Sequence, residues 1–273
     1  MRSAKIKRIP AKIRSRAARL VPESARRWLA AQRARFSVWP PVGWARFGGL
    51  RGVQPVNRVF GIGRGLPICR WYIERFLAAH ADDIAGRVLE IGDPAYTRRF
   101  GGNRVTQSDV LHIAEGSPHA TLVGDLTHGD DLPAEAFDCV ILTQTLNVIY
   151  DVHAAVRTVY RLLKPGGVAL VSVPGISQIS RYDMDRWGEY WRFTTASARR
   201  LFEECWPPAG VEVQAHGNVL AAAAYLYGLA SDDLRRGELT FHDPDYELLI
   251  TVRAVKPQTA AGAPLHNPDR DAP

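Results

Sequence analysis

Between residues 87 and 173 the chain alternates short, nearly unbroken apolar runs with amphipathic stretches. Arg87 to Ile91, Arg104 to Gln107, Ala120 to Val123, Cys139 to Thr143 and Val168 to Val173 predict strands, most of them apolar on both faces, as in a parallel sheet covered from both sides. Helical spacing of apolar positions predicts helices over Val152 to Leu163 and Thr195 to Trp206, the second with Thr194 or Thr195 as N-cap. Upstream, Ile68 to Ala81 reads as a helix with Trp71, Phe76 and Leu77 among its apolar positions. Downstream, Val211 to Gln214 and Leu248 to Val255 add two strands. The apolar segment VLAAAAYLYGLA between them is shorter than the roughly 20 residues that cross a bilayer, so it reads as a buried helix or a subunit contact. The alternation predicts right-handed crossovers and an open, mostly parallel α/β sheet.

Charge divides the chain more sharply than hydropathy does. Residues 1–50 hold 13 Lys or Arg against the single acid Glu23, a net of +12; the remainder carries 22 against 27, or −5. The expected organisation is a basic N-terminal arm (1–50), a linker with a capping helix (51–84), the α/β domain (85–256) and a patternless, disordered tail (257–273). Within the arm, Val21, Ala25, Trp28 and Leu29 fall at helical spacing after Pro22. That pattern suits a basic amphipathic helix on an anionic membrane surface; a solubilising, partly disordered extension is the competing reading. Nucleic-acid binding is disfavoured, because charge alone gives non-specific attraction and no motif accompanies it.

No stretch is long and apolar enough to span a membrane, and the first residues have no apolar signal core, so a cytoplasmic location is expected. Cys69, Cys139 and Cys205 are far apart and form no CxxC pair, which discourages both a disulfide framework and a thiolate zinc site; no metal is expected. Residues 37–66 are rich in Pro, Gly and Trp. The GIGRG they contain (Gly61 to Gly65) lacks a preceding strand and a following helix, so it is not a dinucleotide-binding turn.

In an open parallel sheet, ligands collect beyond the carboxyl ends of the strands. Candidate polar groups stand there in order. Glu90 and Gly92 close the first strand, with Asp93 and Pro94 following. Asp109, read as two residues past the second strand, is placed to accept hydrogen bonds from two ribose hydroxyls. Asp125 follows the third strand with Leu126 beside it, a pairing that suits the exocyclic amine and the face of an adenine. Thr143, Gln144 and Thr145 end the fourth strand. Singly, each is ordinary turn chemistry; the ordered set is not.

These segments, VLEIG, SDV, GDL at Gly124 to Leu126, FDCVILTQTL and LLKPGG, resemble the class I S-adenosylmethionine-dependent methyltransferases over Arg87 to Pro174. The resemblance implies a Rossmann-like class I methyltransferase fold, a mostly parallel seven-stranded sheet with helices on both faces, and S-adenosyl-L-methionine as cofactor. It implies that Glu90, Gly92 and Asp93 belong to the first cofactor motif, that Asp109 binds the ribose, that Asp125 and Leu126 contact the adenine, and that Gln144 follows the fourth strand at the site. It also makes Lys164 to Gly167 a structural turn. The usual glycine-rich turn GxGxG here reads GDPAY. Pro94 and Ala95 restrict the backbone, and only Tyr96 to Phe100 remain for a first helix of one or two turns.

Methyl transfer rests mostly on aligning an acceptor with the methyl group, helped by a base when the acceptor is a hydroxyl. SRYDMDRWGEYWRFTT, after the fifth strand, offers Asp183 or Asp185 as that base. Trp187, Tyr190, Trp191 and Arg192 are its candidate substrate-binding groups, since aromatic faces beside carboxylates suit a sugar. The expectation is an enzyme that O-methylates a carbohydrate or another small hydroxylated metabolite. The competing readings are a non-catalytic methyltransferase-like binding module and an enzyme acting on a macromolecule such as RNA.

Overall fold

A computed structural model describes residues 48–258 throughout, together with Pro22, Ala25 and Trp28. The expected amphipathic helix of the arm, those three residues apart, and the expected tail beyond Gln258 lie outside the described residues. The chain divides into two compact units, Met1–Val53 and Gln54–Pro273. Within the first, Gly48–Arg51 form a short 3-10 turn.

The second unit is built on a seven-stranded sheet in the order β3-β2-β1-β4-β5-β7-β6. Its strands are β1 (Gly86–Ile91), β2 (Val105–His112), β3 (Leu122–Val123), β4 (Phe137–Thr143), β5 (Leu163–Pro174), β6 (Val211–His216) and β7 (Leu249–Val255). β1 to β5 pair in parallel, and β7 runs antiparallel between β5 and β6. The helices are α1 (Ile68–Ala79), α2 (Val152–Leu162), α3 (Arg181–Met184), α4 (Thr195–Glu203), α5 (Val219–Leu226) and α6 (Arg236–Thr240).

Side-chain alternation along the central strands creates two cores. Val140 and Leu142 of β4 with Ala169, Val171 and Val173 of β5 pack on one face against Ala155, Val156 and Val159 of α2 and Leu201 and Phe202 of α4. Cys139 and Ile141 with Val168 and Leu170 face the other way, toward Ile73, Phe76 and Leu77 of α1 and Ala221 and Ala224 of α5. Period-two alternation with both sets apolar is what a strand needs when helices cover both faces. The segment VLAAAAYL is therefore half core helix: Ala221, Ala222, Ala224 and Tyr225 are buried while Val219, Leu220 and Leu226 are exposed.

Capping chemistry fixes the helix starts. Asp151 accepts from Ala154 N ahead of α2, Asn218 from Ala221 N ahead of α5, and Thr194 forms a reciprocal capping box with Ser197 ahead of α4. Each such cap contributes about 1 kcal/mol. No helix among the described residues is long and apolar enough to cross a membrane.

One strand departs from the sequence expectation in a way that matters for the site. β2 does not stop at Gln107 but runs to His112, pairing Leu89 with Asp109 and Ile91 with Leu111. Thr106, Gln107 and Ser108 are exposed while Asp109, Val110 and Leu111 are buried. The polar first half resembles a strand ending when read as sequence, yet it is the exposed half of a longer strand.

Candidate functional site

The carboxyl ends of β1, β2, β3 and β4 open onto two adjoining clefts. The smaller, about 230 Å3, is lined by Gly92, Leu111, His112, Asp125, Leu126 and Val148 among others. The larger, about 520 Å3, runs beside Glu90, Asp93 and Tyr96 toward Arg70 and Glu74 of α1 and Ser177, Glu189 and Tyr225. Ile91, Gln144 and Asp183 line both.

The turn after β1 is held by its own acid. Glu90 is buried, and its two carboxylate oxygens accept from Tyr96 N at 3.1 Å and Thr97 N at 2.7 Å. Burial raises its pKa, with the hydrogen bonds from Thr97 and Tyr96 opposing. Asp93 accepts from Ala95 N at 2.9 Å, making a local Asx turn. The expected short helix is a single π-type turn over Thr97–Gly101. Thus the GDPAY loop is shaped by carboxylate-to-amide bonds rather than by repeated glycines. The one glycine that stays has a reason to: Gly92 has φ +91° with nothing within 4 Å of where a Cβ would sit. Its backbone therefore faces open space in a conformation that costs other residues about 1–2 kcal/mol.

Gln144, immediately after β4, is one of the few non-glycine residues at positive φ, +50°. Its amide donates to Ser172 O at 2.8 Å, which fixes this strained bend where the two clefts meet. Strain of this kind gathers at binding sites, because only a rigid surrounding holds it. In the smaller cleft Asp125 accepts from Thr127 N at 2.8 Å. Burial raises the pKa of Asp125, but the bonds from Thr127 and His128 outweigh it and hold the carboxylate below its ordinary range. It stands ionised beside Leu126, ready to accept from a ligand amine.

Asp109 is set apart from these groups. Its carboxylate is buried within β2 and accepts from Arg87 Nε at 2.7 Å, Gln107 Nε2 at 3.0 Å and Thr121 Oγ1 at 3.0 Å, and it lines neither cleft. Three donors leave little capacity for a ribose. The residue level with Gly92 is His112, since Gly92 N donates to Leu111 O at 3.1 Å, and His112 does line the smaller cleft.

The segment after β5 is also sorted by the fold. Asp183 reaches both clefts, whereas Asp185 is exposed and pairs with Arg181 at 3.6 Å. Trp187 borders the smaller cleft. Tyr190, Trp191 and Arg192 line neither. Tyr190 donates to Trp187 O, Trp191 Nε1 donates to Ile149 O at 3.0 Å, and Arg192 pairs with Glu189 at 3.0 Å. Their hydrogen bonds are spent on holding the loop.

Sequence reasoning did not single out Glu189, Asn147, Arg70 or Tyr225. The Glu189 side chain is 4% exposed, lines the larger cleft, and accepts from Ser180 N at 2.8 Å and Asn147 Nδ2 at 3.2 Å. Asn147 is buried beside it, and its Oδ1 has no hydrogen-bond partner. The signal for Glu189 was its place within the aromatic GEYWRF segment; for Arg70 and Tyr225, carried by α1 and α5, the sequence offered none.

A family model described as "Methyltransferase domain" matches residues 60–207, more than half of the chain. Solved structures of similar shape include an S-adenosylmethionine-dependent methyltransferase from Archaeoglobus fulgidus, 13% identical, covering 68% of this chain and 94% of that one with a TM-score of 0.46. Another is the N-methyltransferase NodS from Bradyrhizobium japonicum with S-adenosyl-L-homocysteine, 15% identical, covering 74% and 94% with a TM-score of 0.46. A third is a putative sarcosine dimethylglycine methyltransferase from Galdieria sulphuraria, 15% identical, covering 69% and 86% with a TM-score of 0.47. No curated protein matches the sequence.

Proposed function

Because the chain belongs to the methyltransferase-domain family and is an S-adenosylmethionine-dependent methyltransferase, we propose that it methylates a hydroxyl of a carbohydrate or other small hydroxylated metabolite. The observation that carries this reading is the position of Asp183, whose residue lines both the smaller cleft and the larger one. A carboxylate at that junction can take the proton of an acceptor hydroxyl as the new bond forms.

The residues present fit the cofactor. Gly92 leaves its backbone open, Asp125 keeps an ionised carboxylate in the smaller cleft, and Leu126, Val148 and Ile149 give that cleft an apolar wall for a flat ring. When bound, S-adenosylmethionine supplies an electrophilic methyl group on a sulfonium. The chain's own part is to hold the adenosyl portion through Asp125, Leu126 and Gly92, with His112 in the ribose role expected of Asp109. Gln144 and Glu90 would border the methionine portion, and Arg70, which lines the same cleft, would be available to pair with its carboxylate.

The acceptor enters through the larger cleft. Five carboxylates, Glu74, Glu90, Asp93, Asp183 and Glu189, line it against Arg70 and Arg99, and this charge balance favours a cationic amine as the second reading. Labelled S-adenosylmethionine with a panel of sugars, polyols and amines tests the two. Transfer to a hydroxylated acceptor that falls steeply in Asp183→Asn, with S-adenosylhomocysteine affinity kept, is the expected outcome. Transfer confined to amines would overturn the hydroxyl reading. We propose a cytoplasmic setting for the reaction, which cell fractionation checks.

A further inference from the structure

The segment before α1 presents its apolar side chains outward. Val56, Val59 and Ile62 recur every third residue and are 52%, 54% and 50% exposed. Phe60, between them, turns inward to lie 5.8 Å from the Tyr225 ring. This loop is tightly tied. Val56 N and Asn57 N donate to Tyr227 O, Asn57 Oδ1 accepts from Val59 N and Gly61 N, and Asn57 Nδ2 donates to Ile62 O. Gln178 Nε2 donates to Arg58 O at 2.9 Å.

Those bonds bring two other exposed apolar residues to the same ground. Ile179, beside Gln178, is 49% exposed, and Leu226, beside Tyr227, is 41% exposed. Because Phe60 and Ile62 also line the larger cleft, the apolar groups stand at its mouth. Isolated apolar residues on a surface need no explanation, but a clustered set on a rigid rim marks an interaction surface.

Charge selects the occupant. Arg58 is exposed on the rim, whereas Arg181 beside it is paired with Asp185, and residues 1–50, which lead into the rim in sequence, carry 13 Lys or Arg against one acid. A second copy would bring the same cations against themselves. A bilayer with anionic headgroups accepts both the apolar side chains and the cations. We infer that the mouth of the larger cleft docks on an anionic lipid surface through Val56, Val59, Ile62, Ile179 and Leu226, with the basic N-terminal residues adding long-range attraction. The inference rests on the proposed function only in making the docked cleft the acceptor's entrance. Vesicle binding is measured without turnover, so the two can fail separately.

The test uses the full chain and vesicles of equal parts phosphatidylglycerol and phosphatidylcholine, against vesicles of phosphatidylcholine alone. Co-sedimentation with the anionic vesicles only is expected. Val56→Asp with Val59→Asp is expected to weaken it by about tenfold or more while leaving S-adenosylhomocysteine affinity unchanged. Should that pair disturb folding, Val56→Ser with Val59→Ser is expected to weaken vesicle binding by at least about threefold. The inference is overturned if the full chain ignores anionic vesicles, or if a folded variant binds them as the parent does, since the basic segment would then suffice alone. It is equally overturned if the chain forms a dimer that these substitutions dissolve, which would assign the rim to a second copy.

Discussion

The two clefts meet at Gln144 and Asp183 but are built differently. The smaller is walled by strand ends and the residues just after them, Gly92, His112, Asp125 and Thr145, brought level by the parallel register of neighbouring strands. The larger draws on α1, the loop before it, the loop after β5 and α5, segments separated by more than 150 residues of chain. The smaller is mostly a product of the sheet, with Asp183 and Trp187 added from the loop after β5, while the larger joins strand-end residues such as Glu90, Ile91 and Thr143 to what packs over them. A site made from strand ends inherits the regularity of the fold, whereas a site made from covering segments can change its chemistry without disturbing the sheet.

Substitutions should separate the two. The largest effect is expected from Gly92→Val, which forces a branched side chain into a left-handed backbone and into the open space over the turn. S-adenosylhomocysteine affinity by calorimetry should fall by about 100-fold or more, a loss of roughly 2.7 kcal/mol or greater. Near-parental affinity would mean the cofactor does not approach this turn.

Asp183→Asn comes next. It should lower kcat by about 10²–10⁴ with cofactor affinity changed by no more than about threefold. An equal loss in both would place Asp183 in the cofactor's cleft rather than at the boundary. Asp125→Ala should have the opposite signature, weakening the cofactor by about tenfold at similar kcat. Removing the cap on Thr127 N should also cost about 1 kcal/mol of stability.

The smallest effect on either cleft is expected at His216, at the end of β6. Burial pushes its pKa down to about 4, with the positive charges of His242 and Arg75 adding to the effect. The unfolded chain binds the proton more readily, so this contribution to stability is present above about pH 6.5 and lost as pH falls toward 4. His216→Phe should therefore flatten the decline of Tm over that window and leave cofactor affinity unchanged. A parallel decline in both proteins would show that other groups control acid unfolding.

The same division explains what could be read from the sequence. The apolar run of β4 and the VLEIG of β1 announced themselves because buried parallel strands must be apolar on both faces. Gly92, Asp125 and Gln144 fell at strand ends whose positions follow from those runs, and all three reach the clefts. Asp109 was misplaced because the polar start of β2 resembles a strand ending; only its pairing with β1 reveals that the strand continues five residues past Gln107 to His112. The composition of SRYDMDRWGEYWRF suggests a substrate loop, but composition does not say which side chains turn inward. Hydrogen bonds to Ile149 O and Trp187 O hold Trp191 and Tyr190 on the outside, while Asp183 and Glu189 turn in.

By itself the sequence determined the sheet, its helices and the order of the strand ends, because local periodicity and burial on two faces are written into successive residues. The tertiary structure alone decided that Arg87 claims Asp109, that His112 stands level with Gly92, and that Arg70, Glu189 and Tyr225 share a cavity with Asp183. Those outcomes depend on register and on contacts between residues far apart in the chain, and no local pattern encodes which distant partner satisfies a buried charge.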